Sequence, residues 1–316
     1  MNSPAFTIPV APGTILPLEV ISRFGAHDYT LVSLLESRVK QLPDKEFIVF
    51  EGQSLTYAQV WREVRAATSA LAARGVKPGD RVGIIATNHP VTVFTFFALA
   101  HLGAIMVSVN PDYGVEEARY VFNHAGVCGV IAAPESLEKA RAACAAIVPP
   151  PWFALNQPEG AIPPAQVSGA PLLIDATSRA VAMPLSAAKP DATVILVYTS
   201  GTTGFPKGVM HSQKTVVLTA EGFVQRMFLQ PDERLLCILP MFHINAVFYS
   251  LTGSLAAGAT LILEPRFSAS RFWEVAHATR ATEVNTIAAA AGILMRRPRE
   301  EYRPGHCLRK DRKSVV

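Results

Sequence analysis

Charge is scarce in this chain: 17% of its 316 residues are Asp, Glu, Lys or Arg, against 50% hydrophobic. So apolar a composition excludes an intrinsically disordered protein, and the length allows two domains or subdomains with substantial cores. Cysteine is scarcer still. Cys128, Cys144, Cys237 and Cys307 are widely spaced and form no Cys-x-x-Cys pair, which excludes a disulfide framework and a zinc knuckle and points to reduced thiols in a cytoplasmic protein. The opening residues, Met1 to Phe6, lack a basic segment followed by an apolar core, so no signal peptide is expected. A broad basic face is missing too. The net charge is +4, but Arg296 to Val316 hold eight Lys/Arg and three Asp/Glu, leaving the preceding residues near −1. No nucleic-acid partner is expected from such a distribution.

Two long stretches carry no Asp, Glu, Lys or Arg, Val91 to Val109 and Ile244 to Leu263, and length alone would make each a membrane span. Each is broken by a glycine, Gly103 or Gly258, followed by a short β-favouring run. A buried helix, a glycine cap and a buried parallel strand account for both, so integral membrane insertion is not expected.

The remaining chain alternates helical and strand patterns. Leu31, Leu34, Leu35, Val39 and Leu42 mark a helix face ending at Pro43; Phe47–Phe50 reads as a strand; Thr56 caps a helix running to Ala73. Strands follow at 82–85, 104–109 and 127–132, with helices between them. Residues 149–190 hold nine prolines and read as a connector with one short strand at 171–174. Alternation resumes with strands at 193–198, 235–239, 259–263 and 283–287. This spacing implies α/β architecture built from two doubly wound βα subdomains. The expected division is an N-terminal extension (1–29), a first subdomain (30–148), the connector (149–190), a second subdomain (191–296) and a basic tail (297–316).

The densest chemistry lies at Tyr198 to Gly208, Tyr-Thr-Ser-Gly-Thr-Thr-Gly-Phe-Pro-Lys-Gly, directly after the apolar strand 192–197. Glycines let the backbone turn and present N–H groups; Thr199, Ser200, Thr202 and Thr203 add hydroxyls; Lys207 adds one cation. Together these make an anion nest suited to polyphosphate. A Walker loop cannot be written here, nor a dinucleotide fingerprint. Further on, Leu239-Pro240-Met241-Phe242-His243 follows a buried strand, at the carboxyl edge where doubly wound folds place ligands.

The loop closely resembles the signature of the adenylate-forming (AMP-binding) superfamily, which includes acyl-CoA synthetases, aryl-CoA ligases, luciferases and peptide-synthetase adenylation domains. Thr56–Val60, Pro78–Val82, Gly103-Ala104, Val109-Asn110-Pro111 and Leu239–His243 fall in the order such enzymes show, so that the resemblance covers roughly residues 30 to 296. It implies that ATP and Mg2+ activate a small-molecule carboxylic acid to an acyl adenylate, and that coenzyme A then displaces AMP. Thr199, Ser200, Gly201, Thr202, Thr203, Gly204 and Lys207 would hold the phosphates. Phe242 and His243 would line the substrate channel, with His243 orienting the acid; the alternative is a histidine that caps a backbone group. His211 is at least as well read as a helix-entry residue. Ile244 to Tyr249 and Thr286 to Leu294 could form the acyl pocket by analogy, and Ala288 to Gly292 would leave room there.

The resemblance also implies motifs this chain does not show after residue 296: an aromatic-Gly-x-x-Glu segment, a ribose-binding Asp and a small C-terminal domain with a catalytic lysine. The chain is therefore expected to be an N-terminal fragment lacking that domain and inactive by itself, its tail either the product of truncation or a solvated extension. Three readings stand side by side: an acid-thiol ligase by descent, an inert fragment that at most binds nucleotide or a partner, and a membrane protein. The acid, the thiol acceptor and the oligomeric state are open at this level.

Overall fold

A computed structural model describes residues 13–157, 169–199 and 206–314, with side chains through 311. In chain order its strands are β1 (Glu46–Phe50), β2 (Gln53–Thr56), β3 (Arg81–Ile85), β4 (Ile105–Val109), β5 (Gly129–Ala132), β6 (Trp152–Leu155), β7 (Thr193–Thr199), β8 (Lys207–Ser212), β9 (Arg234–Cys237), β10 (Thr260–Leu263), β11 (Glu283–Ile287) and β12 (Lys310–Ser314). They form two six-stranded sheets, ordered β6-β5-β3-β4-β7-β8 and β12-β11-β9-β10-β1-β2. In each sheet five strands run parallel and the hairpin partner at one edge, β8 or β2, runs antiparallel.

The sheets correct the sequential division of the chain. β7 and β8 lie beyond the proline-rich segment yet complete the first sheet, while β1 and β2 cross into the second. The reason is edge satisfaction: β1 finds a parallel partner in β10, with Ile48 opposite Leu261 and Val49 opposite Ile262, so apolar backbone with no local parallel mate is paired from the far half. The described residues of the proline-rich segment add a strand that was not expected. β6 follows directly on Pro151 and pairs with β5, and the strand expected at 171–174 is a single parallel bridge between Leu155 and Leu172. The basic tail is not a free solvated run either, because β12 lies parallel to β11 from Glu283↔Lys310 to Ile287↔Ser314.

Local chemistry explains the helices. Thr56 accepts from the Gln59 N–H while the Gln59 side chain accepts from the Thr56 N–H, a capping box that starts the helix Tyr57–Ala73. The helix Pro90–Leu102 opens on proline, is N-capped by His89 and stops at Gly103 in the left-handed conformation, φ 66°. All thirteen of its residues are buried, as expected of a helix that is apolar all round. At about 20 Å it is too short to cross a hydrocarbon layer of about 30 Å. The second apolar stretch divides into Asn245–Leu251, Thr252–Ala257, Gly258 with φ 69°, and β10. Among the described residues no helix is long and apolar enough to span a membrane. One core runs through both sheets, joining Val82, Met106 and Val194 of the first to Ile48, Leu236 and Leu261 of the second around the helix Pro90–Leu102.

Candidate active site between the two sheets

Strand order dictates where a crevice must open. In the first sheet the chain leaves β3 for β4 on one side and then crosses to β5 on the other; in the second it leaves β9 for β10 and then crosses to β11. Each is a topological switch point, where the connections diverge and leave space at the carboxyl ends of the strands. A cavity of about 300 Å³ occupies that space, and both switch points feed it. Thr87 and Asn88 follow β3, Pro111 and Asp112 follow β4, Ile238 to Pro240 and Phe242 follow β9, and Pro265 to Phe267 follow β10. Ile287, Ala289, Ala290 and Ile293 close the wall after β11. Four residues of segment 286–294 thus line this cavity, whereas none of 244–249 does.

Buried Asn88 is the polar centre of that wall. Its Nδ2 donates to the Leu239 carbonyl at 3.0 Å and to the Glu264 carbonyl at 2.9 Å, and its Oδ1 accepts from the Met241 N–H at 2.7 Å. Its own N–H donates to the Pro265 carbonyl at 3.3 Å. Sequence reasoning passed over Asn88. The one available cue was its place between a buried strand and His89-Pro90, where a polar side chain is ordinarily a helix cap; the cap is instead His89.

The turn that follows places the sequence-derived substrate residues. His243 N–H donates to the Pro240 carbonyl at 3.0 Å. Phe242 lines the cavity, and the His243 ring lies 4.5 Å from it, centroid to centroid, tilted by 50°. His243 has an open surface, yet surrounding atoms crowd it enough that partial burial pushes its pKa below the ordinary value of 6.5. The imidazole is therefore neutral at pH 7 and can both donate and accept. The π-helix Asn245–Leu251 begins immediately after this turn; such wide turns recur at functional sites. His211 directly precedes Ser212, the N-cap of the helix Gln213–Met227. It belongs to β8 and stands edge-on to Phe248 of the π-helix, 4.9 Å between centroids at 89°, which is a packing contact.

Thr199 and Lys207 sit directly opposite each other at the open end of the β7–β8 hairpin, both exposed. The signature is therefore a hairpin connection, where strand, loop and helix alone had been expected. Ser200, Gly201, Thr202, Thr203 and Gly204 lie outside the described residues. Because β7 runs parallel to β4, with Ser108 opposite Val197, the hairpin opens at the same carboxyl edge as the cavity; Thr199 and Lys207 are not among the cavity's lining residues. The helix Val115–Ala125 holds both flanks. Tyr120 donates to the Pro206 carbonyl at 3.1 Å, and His124 Nδ1 lies 2.8 Å from the Tyr198 hydroxyl. Burial, with Tyr120 nearby, pushes the Tyr198 phenol up to about 12, so the phenol stays protonated in that hydrogen bond. Gly208 is closely packed: a Cβ there would stand 3.0 Å from Leu196 Cδ2 and 3.1 Å from Tyr198 Cζ, so those side chains would have to give by a few tenths of an ångström.

Comparison with known proteins agrees with this geometry. The AMP-binding enzyme family matches residues 35–315, well past Arg296 where the sequence resemblance had been drawn to a close. Sulfoacetate–CoA ligase of Cupriavidus necator is 28% identical over 85% of this chain and 52% of its own length. Medium/long-chain-fatty-acid–CoA ligase FadD6 of Mycobacterium tuberculosis is 30% identical over 88% of this chain and 45% of its own length. Among solved structures, the inhibitor-bound N-terminal domain of FACL13 of Mycobacterium tuberculosis superimposes with a TM-score of 0.75 at 26% identity, covering 90% of this chain and 69% of that one. The chain spans about half the length of the curated relatives it matches. With two switch points on one cavity, the Thr199–Lys207 hairpin end at the same edge and a family match over residues 35–315, this chain belongs to the AMP-binding enzyme family.

Proposed function

We propose that the chain carries the ATP-phosphate and carboxylate sites of a carboxylate–CoA ligase, in which ATP activates an acid to an acyl adenylate and coenzyme A takes the acyl group. The observation that supports this best is the joint placement of an apolar cavity, the Phe242–His243 turn beside it and the Thr199–Lys207 hairpin end at one carboxyl edge. The reaction brings a carboxylate against an already anionic triphosphate, so positioning and charge neutralisation carry the catalysis. Lys207 and the hydroxyl-rich connection would hold the β- and γ-phosphates and the departing pyrophosphate. Neutral His243 can orient the carboxylate without adding a competing anion. Among the described residues no group of three or more His, Cys, Asp or Glu side chains is placed to hold a metal. Mg2+ would arrive on the phosphates and keep most of its waters. The names of the relatives span sulfoacetate, fatty acids, ferulate and indoleacetate, so the acid is set by pocket detail and not by family.

The test is calorimetric titration of the 316-residue chain with ATP and Mg2+, followed by ATP–pyrophosphate exchange. A charge-assisted phosphate contact contributes about 1.5–3 kcal/mol, so Lys207→Ala should weaken ATP about tenfold or more. Unaltered affinity in that variant would remove Lys207 from the phosphate site. We infer that the 316 residues bind ATP without supporting exchange. Exchange that depends on Lys207 would show instead that they suffice for adenylation.

A further inference from the structure

We propose that Asn88 is the positioning residue of the crevice: its carboxamide fixes the Leu239–His243 turn against the switch point of the first sheet, and so sets where Phe242 and His243 stand. The inference rests on the ligase reading for what the turn holds, though not for the geometry of the turn. A carboxamide offers two donors and an acceptor in one plane, and Asn88 uses all three on main-chain groups of the opposite sheet. Its donors take the Leu239 and Glu264 carbonyls, which follow β9 and β10, and its acceptor takes the Met241 N–H. Asn88 itself follows β3 at the other switch point. One side chain thus joins both halves of the crevice at the place where the cavity begins. Met241 is adjacent to Phe242, so any displacement of the Met241 N–H is carried directly to the Phe242 ring in the cavity wall and to the His243 ring packed on it.

No other small side chain reproduces this set. Leucine has the shape and would strand three buried main-chain groups. Ionised aspartate keeps the acceptor for Met241 but turns a carboxylate oxygen toward two carbonyls. Alanine removes all three bonds and adds the least bulk.

The proposal is tested by NMR of the 316-residue chain with labelled histidine and phenylalanine, reading Met241 amide exchange together with the Phe242 and His243 ring resonances. In Asn88→Ala, Met241 should lose protection and both ring resonances should move. In Asn88→Asp, Met241 should stay protected while the rings still move, because the donor bonds that orient the turn are gone. A control at a buried hydroxyl remote from the crevice, Thr68→Ala in the helix Tyr57–Ala73, should move neither reading. Loss of Met241 protection with unmoved Phe242 and His243 resonances would make Asn88 a structural tie only and overturn the proposal. If the alanine variant does not fold, the aspartate variant decides: moved rings support the role and unmoved rings reject it. Failure of the wild-type chain to bind ATP would count against the ligase reading and leave this result standing.

Discussion

Gly208 shows how a strand residue is shaped by what faces it across a ladder. It stands opposite Tyr198, and the ring and Leu196 occupy the space a Cβ would need. Gly208→Ala should cost about 1–3 kcal/mol through overpacking, read as a lower urea midpoint at constant slope; an unchanged midpoint would mean that the Tyr198 ring yields freely. The cavity wall poses the opposite case. Ala289 lines the crevice with its side chain partly open, so Ala289→Phe adds volume where there is room for it. That variant should keep wild-type stability, within about 0.5 kcal/mol, while excluding bulky acids and sparing small ones. Comparing benzoate with acetate binding checks this, and equal loss of both would place the acid elsewhere. At this scale the sequence nominates candidates where the chemistry depends on residue type, as with Lys207, the threonines and His243. The chemistry was hidden where an ordinary side chain acquires its duty from groups distant in the chain, as with Asn88, Tyr120 and His124.

The helix Pro90–Leu102 is the element on which the crevice is built, since its cap adjoins Asn88. His89 Nδ1 accepts from the Val91 N–H at 3.1 Å, and burial pushes the imidazole pKa from 6.5 down to about 4. The neutral ring is the cap, because a protonated ring has no acceptor to offer. A group whose folded-state pKa lies below its unfolded value takes up its proton more readily when the chain unfolds. Its contribution is therefore complete above pH 6.5 and is lost progressively as pH falls toward 4, by at most roughly 3 kcal/mol. His89→Asn keeps a capping oxygen without titrating, so its urea stability should fall less steeply over that window. Equal slopes in the two proteins would show that His89 does not govern the acid side. The helix itself was legible from its proline start and glycine stop, and the same punctuation resolved both apolar stretches into helix plus strand. β8 was not legible, since Lys207 to Ser212 is short and partly polar and becomes a strand only by pairing with β7.

At the scale of the whole molecule, the basic tail is part of the second sheet. Lys310 Nζ lies 2.5 Å and Arg309 3.2 Å from an oxygen of Glu233, whose side chain is fully buried. Lys310 also donates to the Phe228 carbonyl at 2.8 Å. Lys310→Met leaves the buried carboxylate to Arg309 and Thr282 alone and removes one charge-assisted bond, so it should destabilise by about 1.5–3 kcal/mol. Adding Glu233→Gln should recover part of that loss in a double-mutant cycle, and strict additivity of the two changes would refute the coupling. The interleaving of the halves has the same origin in long-range pairing. Helix and strand periodicity, glycine and proline punctuation and the Tyr198–Gly208 signature were determined by the sequence alone, because each depends on neighbours within a few positions. Which strands share a sheet, that both switch points open on one cavity, and that Asn88 joins them were decided only by tertiary structure. Strand pairing and main-chain hydrogen bonds are settled between segments as far apart as Ile48 and Leu261 or Asn88 and Glu264, and no local pattern encodes a partner at that distance.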